Sequence, residues 1–424
     1  MSGKNILFLI IGFVLGAIVM MSVFLIINGK NQKNIVSDES ESTSEVTKEV
    51  ENETNKPEED VMDERKPLKD IYDKTLIGVA LNPETIKQPY AKYVIENFNS
   101  VTCENEMKPD YIISHSKSKE GVKEDPTYVA FKYDACKETV KFCVENNIKM
   151  RYHTLIWHHQ TPEWFFYEDY DESKELVDAE TMKGRMKNYI YGVIEYFDTE
   201  YPDLIYAIDV VNEALNGGGD YGIKRTGNYW NTTMGYEYIY YAFKYTREAL
   251  DASTNMKDVK LLYNDYEMIW KVDKVGGALE AIFKEHGADV HDYIDTIGFQ
   301  GHIDTNIDMD EYLKAMKGFC DLGYEVQITE LDICIPDIKV GEQPTEGQLL
   351  RQGEVYKELM EGICKLNKIG CNISSVTVWG IDDAHSWKMD MEGHNGYALL
   401  WNSDMTEKPA LRGMALCDEL EVQD

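Results

Sequence analysis

"AIDVVNEAL", residues 207–215, begins as a short apolar run of the kind that becomes a buried strand. It then sets an amide and a carboxylate, Asn212 and Glu213, at the point where such a strand ends. A carboxylate at the tip of an otherwise buried strand needs a reason, and neighbouring stretches supply one. From residue 77 onward short strand-like runs recur at 77–81, 100–105, 149–157, 206–215, 260–266, 296–303, 325–333 and 374–381. Helical patterns lie between them, among them 134–147, 235–250 and 348–367. Eight strands alternating with helices over about 350 residues predict an α/β fold of the closed parallel-barrel, (β/α)8 kind. A doubly wound open sheet is the alternative, but no glycine-rich phosphate loop follows the first strand.

Active sites of such barrels lie at the carboxyl ends of the strands. Those ends carry Glu104 and Asn105, His153 and Trp157, Asn212 and Glu213, Asn264 and Tyr266, Gln300 and His302, Glu330 and Asp332, and Trp379. One such residue is explained by capping; seven strands doing it point to a shared cleft. Glu213 ends the fourth strand and Glu330 the seventh, so the two face each other across the barrel mouth. Glycoside hydrolysis needs such a pair, one group protonating the departing oxygen while the other attacks the anomeric carbon. Glu330 and Asp332 are two apart on a strand and share a face, as do Gln300 and His302. The expectation is that Asp332 fixes the His302 imidazole, which in turn bonds to Glu330 and keeps it ionised as a nucleophile. Glu213 has no evident cationic partner, and burial beside Glu330 should raise its pKa, as a general acid requires.

In "HTLIWHHQTPEW" (153–164) strict alternation puts His153, Trp157 and His159 on one face and His158 on the other. No HExxH spacing or converging carboxylate set accompanies these histidines, so no metal and no cofactor is expected. His153, Trp157 and Gln160 fit sugar contacts better.

Assembled in order, "TCENEMKPD", "HTLIWHHQTPEWF", "DVVNEAL", "LYNDYE", "GFQGHID", "ITELDI" and "VTVWGIDDAHSW" resemble the family 10 glycoside hydrolases, the endo-1,4-β-xylanases, over nearly all of 67–424. The resemblance implies endo-hydrolysis of xylan, with Glu330 as nucleophile and Glu213 as acid/base; the nucleophile-like setting of Glu330 adds the expectation of retention. It further implies that Glu104, Asn105 and Lys108 bind sugar on the non-reducing side. His153, Trp157, Gln160, Asn212, Gln300 and His302 would surround the sugar at the cleaved bond. Trp379 and Trp387 would floor and roof that sugar and leave little space for a hydroxymethyl arm, favouring xylose over glucose. Tyr266 would line the reducing side. Two features depart from the family pattern: Tyr152, where Gly is usual, and the loop "NGGGDYGIKRTGNYW" (216–230). Rival readings are a barrel hydrolase of another β-glycan, a non-catalytic polysaccharide-binding barrel and, more distantly, a metal-dependent hydrolase.

The remaining sequence frames this domain. Residues 6–27 are an uncharged apolar run, spanning roughly 33 Å as a helix, the thickness of a bilayer core. It ends without a small-residue cleavage site, so residues 1–30 are expected to be a single-pass membrane anchor, with a cleaved signal peptide and secretion as the alternative. Residues 31–66 hold 12 acidic and 5 basic side chains with few large apolar ones, which predicts a disordered acidic linker. The chain carries a net −33, of which −28 lies in 67–424, arguing against nucleic acid or an anionic membrane surface as the main partner. The expected arrangement is a monomeric extracellular catalytic domain on a tether, acting on xylan or xylo-oligosaccharides. The eight Cys include no CxxC pair and read mostly as buried thiols, with one or two disulfides left open; Cys136 and Cys143 are too far apart on a helix to join.

Overall fold

The computed structural model describes residues 65–422 apart from 225, 340 and 391–395. The apolar run 6–27 and the acidic stretch through residue 64 lie outside the described residues, among which no helix is long and apolar enough to cross a membrane. Arg65, at the end of the stretch read as linker, is tied to the domain by an ion pair with Glu407 at 2.8 Å.

Eight parallel strands form the barrel: β1 Leu76–Leu81, β2 Ser100–Cys103, β3 Lys149–Tyr152, β4 Ile205–Asn212, β5 Lys260–Asp265, β6 Thr296–Phe299, β7 Glu325–Cys334 and β8 Ile373–Val378. Closure is direct, since β8 pairs with both β7 and β1, in the latter case from Leu76↔Ser375 to Val79↔Val378. A helix follows each strand: α1 Tyr90–Asn97, α2 Lys137–Glu145, α3 Ala179–Glu200, α4 Glu237–Ala252, α5 Val272–Glu285, α6 Met309–Asp321, α7 Glu346–Lys368 and α8 Pro409–Met414. Capping residues start the long ones. Asp178 accepts from the Thr181 N–H at α3, and Thr345 with Gln348 makes a full capping box at α7. The buried stripe of α7, Val355, Tyr356, Leu359, Met360 and Ile363, follows the helical period, each side chain contributing about 1.5–3 kcal/mol of burial.

Most strands stop short of their apolar runs, and two of these early endings shape the site. The run 149–157 breaks after Tyr152, where the backbone carbonyl of Asp209 takes the Leu155 N–H (3.0 Å) and the Thr154 hydroxyl (2.8 Å). The chain then rejoins β4 at Ile156–Trp157, with Trp157 opposite Asn212. Alternation therefore does not carry through to 159. His158 and His159 stand together, ring centroids 4.3 Å apart, rather than on opposite faces. The fourth strand stops at Asn212 because Glu213 adopts a left-handed φ of 55°, a conformation costly for a non-glycine residue and often found at functional sites.

All eight Cys are free thiols. The carboxyl-terminal helix docks by near contact of two backbones: a Cβ on Gly413 would lie 2.0 Å from the Gly353 carbonyl oxygen on α7. The same stretch of α7 steadies the end of β7, for the Gln352 amide donates to the carbonyl of Ile333 at 2.7 Å. Gly413→Ala is expected to cost about 1–3 kcal/mol by overpacking and to lower the thermal midpoint in calorimetry. An unchanged midpoint would show that α7 and α8 have slack.

Candidate active site

The site is a ring of polar side chains at the carboxyl end of the barrel, organised around two carboxylates. Glu330, 5 % exposed on β7, is held from two sides. The Asn264 amide donates to its Oε1 at 2.8 Å, and His302 Nε2 reaches its Oε2 at 3.3 Å. His302 stands beside β7 because a short strand, His302–Asp304, pairs there in the register His302↔Asp332. That register lets His302 Nδ1 donate to Asp332 Oδ2 at 2.8 Å. The expected relay from Asp332 through His302 to Glu330 is therefore present.

Its electrostatics follow from the sandwich. Burial alone would strip the proton from His302, but Asp332 and then Glu330 outweigh it and lift the imidazole to about 9. Burial would likewise raise Glu330. The hydrogen bond from His302, with the neighbouring His153, the His302 charge and Arg151 behind it, reverses that and holds the carboxyl down at about 2. Glu330 is thus ionised and His302 cationic at neutral pH.

Glu213 is surrounded by neutral donors. Gln300 donates to its Oε1 at 2.8 Å, Asn212 to the same oxygen at 3.2 Å, and the Trp157 indole N–H to Oε2 at 3.0 Å. Burial raises its pKa, the negative charge of Glu330 adds to the rise, and the bonds from Gln300 and Trp157 only moderate it. An amide pair bridges the two carboxylates. Asn264 donates both to Glu330 and to Asn212 Oδ1 (2.9 Å), while Asn212 donates to Glu213.

The other expected residues gather here too. Lys108, 5 % exposed, donates to Asn105 (3.0 Å) and Gln160 (2.9 Å), and its ammonium lies 4.9 Å from the Trp157 ring. Burial lowers the Lys108 pKa against the opposing pull of Glu330, Glu104, Glu213 and Glu106, so this cation lies in the field of four carboxylates. The Glu104 carboxylate accepts from Asn82 at 3.5 Å. His153 donates through Nδ1 to Asp209 at 2.7 Å; burial keeps the ring neutral and leaves Nε2 an acceptor. The Trp379 ring meets His153 edge-on at 5.3 Å. Trp387 gives its indole N–H to Asp332 at 2.8 Å and lies 4.9 Å from His302. Tyr266 lies just past β5, with the Lys271 ammonium 4.3 Å from its ring.

Several functional contacts escaped the sequence. Asp209, at the centre of "AIDVV", is fully buried and joins Arg151 as well as His153; Arg151 also donates to the carbonyl of Thr329, next to Glu330, at 2.6 Å. An acid inside an apolar strand signals such a partner, but the partner's identity depends on the neighbouring strand. Asn264 stood among the strand-end residues without a role. Lys388, 3.5 Å from the second oxygen of Asp332, left no sequence signal. Among the described residues no group of three or more His, Cys, Asp or Glu is arranged to hold a metal ion.

With this geometry in hand, comparison with known proteins is specific. The family model for glycosyl hydrolase family 10 matches residues 67–416. Endo-1,4-beta-xylanase B of Butyrivibrio fibrisolvens is 34% identical over 343 residues, covering 79% of this chain but only 50% of that protein. A putative endo-1,4-beta-xylanase of Caldicellulosiruptor saccharolyticus is 36% identical over 318 residues, covering 72% of this chain and 94% of the relative. Among solved structures, an endo-1,4-beta-xylanase of Caldicellulosiruptor owensensis superposes with a TM-score of 0.69 at 28% identity, over 82% of this chain and 99% of that one. A xylanase 10B of Clostridium thermocellum, complexed with xylohexaose, gives 0.71 at 28% identity over 84% of this chain and 68% of that one. The chain belongs to glycosyl hydrolase family 10.

Proposed function

We propose that the protein is a retaining endo-1,4-β-xylanase in which Glu330 is the nucleophile and Glu213 the acid/base. The observation that carries this reading is that two carboxylates at one barrel end are shifted in opposite directions by their neighbours, Glu330 down to about 2 and Glu213 up. In the first step the Glu330 carboxylate bonds to the anomeric carbon as the glycosidic C–O bond breaks, and Glu213 passes its proton to the departing oxygen. In the second, ionised Glu213 takes a proton from water, whose oxygen attacks the same carbon and expels Glu330 as a carboxylate. Two inversions give net retention, which requires the carboxyl groups to stand about 5–5.5 Å apart.

The substrate follows from the relatives, named endo-1,4-beta-xylanases, one of them holding xylohexaose. Glu104, Asn105 and Lys108 bind the non-reducing side, and Tyr266 lines the reducing side. His153, Trp157, Gln160, Asn212, Gln300 and His302 surround the reacting sugar, with Trp157 also orienting Glu213. Trp379 and Trp387 exclude a hydroxymethyl arm. Residues 6–27 anchor the enzyme to the membrane with a monomeric catalytic domain outside, a reading supported by the length and apolarity of that run.

Glu330→Ala should abolish turnover on every substrate. Glu213→Ala should give one burst from an activated aryl xyloside, whose leaving group needs little protonation, and then stall. Loss of the burst in both variants would overturn the assignment. Activity should fall as pH rises through the elevated pKa of Glu213, because the first step needs its proton. Glu330→Gln removes a negative charge that raises Glu213, so the Glu213 carboxyl should titrate at lower pH in that variant by NMR; an upward move would refute the coupling. Activity should sediment with membranes and be released by detergent; release into the medium as a shortened chain would favour secretion.

A further inference from the structure

Glu213 holds its left-handed φ of 55° just past β4, and a non-glycine residue keeps such a conformation only where its surroundings impose it. The imposing bonds come from β5. The carbonyl of Asn264 takes the Glu213 N–H at 2.9 Å. Two residues further on, the Tyr263 hydroxyl accepts from the Leu215 N–H at 2.9 Å and donates to Asp265 Oδ2 at 2.6 Å. The other oxygen of Asp265 accepts from the Asn216 side-chain amide and from the Tyr266 N–H at 2.8 Å. The Lys271 ammonium lies 3.3 Å from that same oxygen and also donates to Asn216, which closes the group.

Alternation along β5 separates two tasks. Asn264 faces the cleft, where it bonds to Glu330, so Tyr263 and Asp265 on either side of it turn to the opposite face. Both are fully buried there. A carboxylate taken out of water needs a purpose as well as partners, and the chemistry at the anomeric carbon does not use this one. What its partners secure is the turn from Glu213 to Asn216. Asp265 reaches Glu213 from a second direction too: its backbone carbonyl takes the Gln300 N–H at 3.0 Å, and the Gln300 amide donates to Glu213. Glu330, on β7, is held instead by Asn264 and His302.

We propose that Tyr263 and Asp265 are positioning residues which, from behind β5, hold Glu213 in its proton-donating geometry. The inference rests on the reading of Glu213 as acid/base. It assigns the pair to one part of the first step, protonation of the departing oxygen, and not to attack by Glu330. General acid catalysis supplies about 10²–10⁴-fold in rate, and a misaligned donor forfeits roughly tenfold of it.

Tyr263→Phe keeps the ring and removes only the hydroxyl. The measurement is kcat/KM on two aryl xylobiosides, one with a dinitrophenyl leaving group that needs little protonation and one with a phenyl group that needs a proton. The variant should lose about tenfold on the phenyl substrate and stay within about twofold of wild type on the other. The ratio of the two is independent of the fraction of correctly folded enzyme, so simple destabilisation does not move it. Should that variant not fold, Asn216→Ala cuts a second bond to Asp265 at a half-buried position and should shift the ratio the same way by about threefold. A ratio left at the wild-type value in whichever variant folds overturns the proposal, whether activity is kept or lost equally on both substrates. Glu213→Ala tests the reading beneath it: if that variant also leaves the ratio unchanged, the acid/base assignment itself fails, and the positioning role falls with it.

Discussion

The arrangement depends on one cation held between two anions: the His302 imidazolium, with Asp332 on one nitrogen and Glu330 on the other. Without the positive charge, burial alone would push the Glu330 pKa up, as it does that of Glu213, and the two acids would be of similar character. With it, Glu330 keeps its negative charge in a desolvated place. That charge then acts on Glu213 and helps to hold a proton there. The asymmetry between chemically identical groups thus comes from their neighbours, an imidazolium for one and neutral donors for the other.

Neutral groups have their own part. Asn264 and Asn212 bridge the two carboxylates without adding charge, so they fix geometry while leaving the opposed ionisation intact. Below them the same logic continues in the buried Asp209, whose bonds to Arg151 and His153 orient a neutral imidazole and place a guanidinium beneath Glu330. A buried carboxylate with two partners avoids the several kcal/mol that an unpaired one would cost.

Much of this was legible in the sequence because the barrel imposes a simple rule, that the end of each strand faces one cavity. The alternation of apolar runs with helices gave the eight strands, and the spacing of Glu330 with Asp332 and of Gln300 with His302 gave the relay. What stayed hidden depends on where strands stop. Nothing in "HTLIWHHQ" marks the break after Tyr152, because the donors that cause it are satisfied by a carbonyl on another strand. Strict alternation through that break misplaced His158. Trp157 reads as a sugar contact; that its indole N–H is directed at Glu213 is set by the pairing of Trp157 with Asn212, which the sequence does not show. Lys388 approaches Asp332 from a loop whose course no periodicity foretells.

Asp332 has one further consequence. Its carboxylate serves His302 and the Trp387 indole through one oxygen and approaches Lys388 through the other. The placement of Trp387 and the charge state of Glu330 therefore answer to a single side chain. A disturbance that moves this tryptophan also perturbs the imidazolium: evolution or engineering that repositions one must retune the other.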